Sequence, residues 1–218
     1  MSWVFAMPGV AAPDKRLDDV MAKLDQTAAT FRSAEAKFSW TTFNSVVNES
    51  EKAQTGKIYF ERNRDETRMS AYIDPPDDER VVFSGGKIQI YKARTATLDI
   101  YDAGTHREEF QAFLVLGFGS SGEDIRKSFD VSYGGEEKID GIDTAKLQLV
   151  PKSDNVKDKF SQIILWIDLQ NGVSIQQKLI APNDDYRLAK YSDVKLNQKI
   201  PDKLFKLRTS DNTKVVTH

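Results

Sequence analysis

The 218-residue sequence contains no cysteine. Disulfides, thiolate metal sites, a cysteine nucleophile and lipid attachment at a lipobox cysteine are thereby excluded. A thiol-free chain fits an exported protein, although some cytosolic proteins also lack cysteine. Histidine is nearly missing: His106 and His218 are the only two. A zinc site built from several histidines is impossible, and a Ser-His-Asp triad would have to use His106. Neither sign of charge is in excess, with 31 basic and 33 acidic residues and a net charge of −2. No basic stripe appears, so nucleic acid is not an expected partner. The apolar start, Met1 to Ala12, has only twelve residues, too few to span a bilayer. It resembles the end of a secretory signal, with small residues near a cleavage point but no positive start. The other reading is a disordered or packed tail. Residues 1–13 are therefore set apart. Residues 14–218, undivided by linker, repeat or low-complexity break, are expected to form one domain.

What is present is one helical pattern followed by a long series of alternating ones. Leu17, Val20, Met21, Leu24, Ala28 and Phe31 recur at three- and four-residue spacing, predicting a helix from Asp14 to about Ser33. The period then changes to two. Strands are expected at 38–43, 56–61, 67–73, 80–83, 87–91 and 97–101, and again at 129–133, 145–150, 160–168, 173–180 and 186–194. Gly85-Gly86, Gly134-Gly135, Asp140-Gly141 and Asn171-Gly172 mark turns between them. About eleven strands at hairpin spacing imply a single antiparallel sheet large enough to curl. The fold class expected is α+β. Pro201–Phe205 reads as a short helical turn.

One motif argues for a different class. Gly117, Gly119 and Gly122 spell G-x-G-x-x-G, with Asp140 and Asp143 about 20 positions on, as a dinucleotide site would have. That fingerprint needs a strand before it and a crossover helix to a parallel strand after it. Here Thr105-His-Arg-Glu108 fits a capping box, and Phe110, Phe113, Leu114 and Phe118 fall on one helical face. Ser121-Gly-Glu-Asp124 is a second box. The glycines are therefore expected to join two short helices, with Gly117 or Gly119 ending the first. No cofactor is expected.

Phe110, Phe113, Leu114, Leu116 and Phe118 are too apolar to face water together. They are either ordinary core or a lid over a cavity. Both faces of 160–168 are apolar, Ile163, Leu165 and Ile167 on one and Phe160, Ile164 and Trp166 on the other. A sheet covered on both faces satisfies that pattern.

Several segments in order resemble the periplasmic outer-membrane lipoprotein carriers, the LolA-like family. They are Gly56-Lys-Ile-Tyr-Phe-Glu-Arg62, a strand ending in Asp74-Pro-Pro76, and Val82-Phe-Ser-Gly-Gly-Lys-Ile-Gln-Ile-Tyr91. Leu114–Ile125, Leu147-Gln-Leu-Val-Pro-Lys152, Leu165-Trp-Ile-Asp168 and Leu204-Phe205 also correspond. The resemblance covers nearly the whole chain from about Leu17, and none of its segments is a catalytic signature.

It implies an incomplete β-barrel whose mouth is covered by a long N-terminal helix and short lid helices. It further implies a concave face that takes lipoprotein acyl chains from an inner-membrane release complex and delivers them to an outer-membrane receptor. The cavity lining expected is Met69, Ala71, Ile73, Ile88, Ile90, Leu98, Ile100 and Trp166, with Phe110, Phe113, Leu114, Leu116 and Phe118 from the lid. A one-residue error in register would reverse the face assignment. The family's lid-locking arginine falls by position at Arg62, although Asn63 stands where the family usually has proline; Arg64 and Arg68 compete for the role. The implied protein is monomeric and periplasmic. Two rivals stand beside the carrier. One is an envelope-stress sensor or lipid-binding module on the same fold. The other is an enzyme using turn carboxylates such as Asp77, Asp78, Glu79, Glu136, Glu137, Asp184 or Asp185, for which no nucleophile motif appears.

Overall fold

The structure is a computed structural model that describes residues 15–63, 66–102, 104 and 116–218. The first element is helix α1, Lys15–Thr30, which buries Val20, Met21 and Leu24 along one stripe. It ends three residues earlier than its periodicity predicts, because Ser33 already pairs in the first strand. Phe31, the last apolar residue of the helical pattern, lies just past its end and is buried in the core.

Thirteen strands follow among the described residues. They are β1 (Ser33–Asn44), β2 (Glu49–Ser50), β3 (Gln54–Asn63), β4 (Glu66–Ile73), β5 (Glu79–Ser84), β6 (Lys87–Lys92) and β7 (Thr97–Asp102), then β8 (Phe129–Ile139), β9 (Ile142–Pro151), β10 (Gln162–Asp168), β11 (Ser174–Ile180), β12 (Tyr186–Leu196) and β13 (Lys214–Thr217). Helix α2 (Gly122–Ser128) precedes β8, and α3 (Asp154–Lys157) lies between β9 and β10. All strands belong to one sheet in the order β13-β7-β6-β5-β4-β3-β1-β12-β11-β10-β9-β8, with β2 paired to β1. The two outer strands do not meet, so the sheet is not closed. Every pairing is antiparallel except β13 on β7. The expected single antiparallel sheet is present, with one parallel strand added at its edge.

Register partners share a face, and this divides the sheet into two surfaces. The inner one, packed against α1 and residues 116–119, carries two apolar clusters. One joins Val20, Met21, Leu24 and Leu116 to Leu147, Leu149, Ile163 and Leu165. The other joins Phe31 and Phe118 to Phe38, Phe60, Met69, Ala71, Ile73 and Phe83. On the outer surface the chain leaves β12 and crosses β4 as a single 3-10 turn, Asp202–Phe205. The Ser70 and Tyr72 hydroxyls both donate to the Leu204 carbonyl, at 2.6 and 2.9 Å. Arg68 secures the crossing, bridging Glu61 and Asp202 with its guanidinium over the Phe205 ring at 4.2 Å. The tip of the β8–β9 hairpin bends onto the same surface. The pairing slips at Gly134-Gly135, the signature of a bulge that turns a strand. Beyond it the Asp140 carboxylate reaches Lys190 on β12 at 3.6 Å.

Candidate functional site

The residues expected to line a cavity divide between the two surfaces. Met69, Ala71 and Ile73 stand together on the inner face of β4 and are all buried. Phe83 pairs with Met69 and Ile88, and Val81 pairs with Ala71 and Ile90, so Ile88 and Ile90 share that face. Leu116 and Phe118 join the two inner clusters. Leu98 and Ile100 do not belong with them. The turn after β6, a 3-10 step at Ala93–Thr95 followed by left-handed Ala96, sets Tyr91 opposite Leu98 and Gln89 opposite Ile100. Both therefore point outward, and Asp99 and Tyr101 take the inner positions beside Ile90 and Ile88. Trp166 is also on the outer face. Its neighbours Leu165 and Ile167 pack inward, whereas its indole N–H donates to the Glu137 carboxylate and its ring lies under the Lys146 ammonium at 5.4 Å. The bent hairpin covers Trp166, which explains a buried tryptophan on the outer surface. Phe110, Phe113 and Leu114 lie outside the described residues, as does the Thr105 capping box.

Arg62 leaves the sheet toward the inner side. Its guanidinium donates to the Gly119 carbonyl at 2.7 Å and to the Ala28 carbonyl at 3.3 Å, and it lies 5.5 Å from the Phe31 ring centre. One side chain thus ties the 116–119 turn to the last turn of α1. Arg68, its rival, is engaged on the outer face, and Arg64 lies outside the described residues. Four further contacts hold the same turn. Phe118 stacks on Phe60 at 4.9 Å and meets the edge of Tyr191 at 4.8 Å. Gln177 donates to the Leu116 carbonyl at 2.6 Å while accepting from the Tyr191 hydroxyl at 3.3 Å. The Ser174 amide donates to the Gly117 carbonyl at 2.8 Å. Burial pushes the Tyr191 hydroxyl well above its ordinary pKa, so it remains a neutral donor throughout the physiological range.

The three motif glycines have a packing explanation. Gly117 and Gly119 adopt φ of +82° and +86°, where a side chain is strained. A Cβ on Gly117 would collide with the Ser174 Cβ, one on Gly119 would stand 2.5 Å from the Phe31 ring, and one on Gly122 2.8 Å from the Met21 carbonyl oxygen. The motif lets a turn lie flush against β11, Phe31 and α1. Ser121 caps α2 as its spacing predicts, accepting from the Asp124 amide at 3.0 Å. The backbone N–H of Gly122 is taken by Asp25 of α1 at 2.8 Å, a partner that an anion-binding helix start would leave free.

Asp25, Gln177 and Tyr191 are the site residues that sequence patterning does not single out. Each is ordinary in its own element and acquires its role only across the fold. Four of the turn carboxylates considered for catalysis accept hydrogen bonds: Asp77 from Gln54 at 3.0 Å, Asp185 from the Ser45 amide at 2.7 Å, Glu136 from the Tyr133 hydroxyl at 3.1 Å, and Glu137 from Trp166. Among the described residues, no cluster of acidic or histidine side chains is placed to hold a metal ion. No helix among them is long and apolar enough to cross a membrane.

Comparison with known proteins agrees with this geometry. No curated protein sequence matches the chain. Among solved structures, an uncharacterized conserved protein from Thermus thermophilus is similar with a TM-score of 0.56 and 12% identity, covering 94% of this chain and 100% of that one. The Pseudomonas aeruginosa MucA/MucB complex contains a chain similar with a TM-score of 0.52 and 15% identity, covering 93% of this chain but 64% of that one. This chain thus matches less than two thirds of that protein. The lipoprotein LppX of Mycobacterium tuberculosis follows, with a TM-score of 0.51, 14% identity and coverage of 86% and 98%. These identities establish a shared fold. The sequence model of the outer membrane lipoprotein carrier protein LolA matches residues 29–208, and the chain therefore belongs to the LolA family.

Proposed function

We propose that this protein is a periplasmic carrier that holds the acyl chains of lipoproteins against its inner face on their way to the outer membrane. The observation that carries the reading is the junction at 116–119. Two apolar clusters, one on each half of the inner face, meet at a turn held by a few polar contacts, Arg62 to Gly119 foremost, and by the buried side chains of Leu116 and Phe118. Each such hydrogen bond contributes about 1 kcal/mol net, more where a charge takes part. Each methylene withdrawn from water contributes about 0.8 kcal/mol. Opening also gives up the burial of Leu116 and Phe118, about 1.5–3 kcal/mol each, and a long acyl chain outweighs the latch and these two side chains together, so cargo can open what is closed when empty. In this reading Met69, Ala71, Ile73, Ile88 and Ile90 line the cavity, and Leu116 and Phe118 fill it in the empty state. Phe110, Phe113 and Leu114 continue the lid, and Arg62 is its lock. The partners are an inner-membrane release complex and an outer-membrane receptor, and the chemistry is transport, not catalysis.

The second reading is an envelope-stress sensor or lipid-binding module. The occurrence of this fold in MucB, solved together with MucA, favours it. Titration of a fluorescent fatty-acyl probe tests the shared premise: saturable binding is expected, with faster uptake by Arg62→Ala, and no saturable binding rejects both. Mass spectrometry of what the protein retains through gentle purification separates them. An acylated lipoprotein supports the carrier, and a membrane regulator's periplasmic segment supports the sensor.

A further inference from the structure

The outer surface carries a second feature that the inner face does not explain. Two clefts, of about 580 and 430 Å³, open there on either side of Tyr72 and Arg80, which line both. They follow one row of register partners running across six strands: Ser192, Lys37, Lys57, Tyr72, Arg80 and Tyr91. At the interstrand spacing this row is about 24 Å long, the span of an extended peptide of about seven residues. The C-terminal crossing borders one cleft and supplies Lys203, Lys206 and Arg208. The hairpin tip borders the other through Asp140, paired to Lys190.

Charge is distributed unevenly along this trough. Its lining holds seven cationic side chains, Lys190 and the six lysines and arginines already named, against Asp74, Asp78 and Asp140. The chain as a whole has a net charge of −2. Lys37 is neutralised by Asp193 at 2.7 Å. Lys57 and Arg80, at the centre of the row, form no ion pair with any described carboxylate, and Arg80 lies instead over the Tyr72 ring at 4.3 Å. Tyr59, beside it, meets Tyr72 edge-on at 5.8 Å and is buried, so the floor is a rigid aromatic one. Placing cations on a stiff base lowers the entropy lost when a ligand binds.

We propose that this trough is a docking groove for an extended acidic peptide segment of a partner protein. Length, shallow open form and charges spaced along one line fit a chain-like anion. Lys57 and Arg80 take its central carboxylates and the C-terminal lysines its end. The groove is on the face opposite the acyl-chain surface, so a partner can be held while cargo is exchanged.

A fluorescently labelled peptide of alternating glutamate and alanine, titrated by anisotropy at low salt, tests this. Saturable binding is expected, weakening as salt is raised. The pair Lys57→Glu with Arg80→Glu should weaken it on the order of tenfold. Lys57→Glu alone, at an exposed position, should weaken it in the same direction. Lys127→Glu on α2, away from the groove, should not. Absence of binding, or equal loss in the Lys127→Glu control, overturns the proposal. So does binding of anionic phospholipid vesicles through Lys57 and Arg80 without binding of the peptide.

Discussion

Arg62 is a strand residue whose most consequential contacts lie outside the sheet. Its two hydrogen bonds, to Gly119 and Ala28, use a charged donor on backbone carbonyls that would otherwise have to be hydrated. Arg62→Ala should therefore cost about 1–3 kcal/mol in urea unfolding. It should also raise amide exchange at 116–121 more than in β9 or β10, because the turn, unlike those strands, loses an anchor. Gly119 meets Phe31 from the other side. Gly119→Ala combines a φ of +86° with a Cβ 2.5 Å from the ring, so a loss of about 1–3 kcal/mol is expected by the same measurement. Adding NAD should leave the unfolding midpoint of the native protein unmoved, since the α2 N–H that a pyrophosphate would need is bonded to Asp25. At this scale the sequence is partly legible. The position of Arg62 and the Ser121 cap follow from spacing, whereas Asp25, Gln177 and Tyr191 come together from three elements far apart in the chain.

At the scale of elements, alternation announces nearly every strand but not which way each one faces. Leu98 and Ile100 read as inward residues because they are apolar, yet the register set by the Ala93–Thr95 turn places them outward. Trp166 escapes the pattern for another reason: β10 is apolar on both faces, and the hairpin that covers its outer side is bent by a glycine bulge with no periodic signal. Trp166→Phe should consequently lose one hydrogen bond, about 1 kcal/mol, and leave acyl-probe affinity unchanged. Leu165→Ala on the inner side should cost about 2–5 kcal/mol. Strand β13, the one parallel addition, is fastened by side chains as well as its ladder. Asp99 bonds Lys92 at 3.0 Å and His218 at 3.2 Å, and those hydrogen bonds hold its carboxyl below the ordinary value. A depressed carboxyl stabilises above its unfolded pKa, and that contribution disappears as pH falls through the folded one. Amides of 214–217 should thus lose protection below about pH 4, and Asp99→Asn should abolish that acid dependence while lowering protection at neutral pH.

For the whole molecule, the decisive property is the contrast between the two surfaces of one unclosed sheet. The inner surface is apolar from β5 to β9 and is spanned by a turn with a polar latch. The outer one is crossed by the C-terminal segment and the hairpin tip, and between them lies a cationic row. Hairpin spacing and the resemblance of ordered segments make the sheet and its family legible. The division of labour between faces depends on register and on two crossings that leave no periodic mark. The most direct measurement is cross-linking of a photoactivatable fatty acid to the native protein, with the adducts located by peptide mass spectrometry. The carrier account predicts adducts on inner residues such as Met69, Ile88 and Phe118. Adducts confined to the outer surface, at Leu98, Ile100 or Trp166, or none at saturating probe, would contradict it.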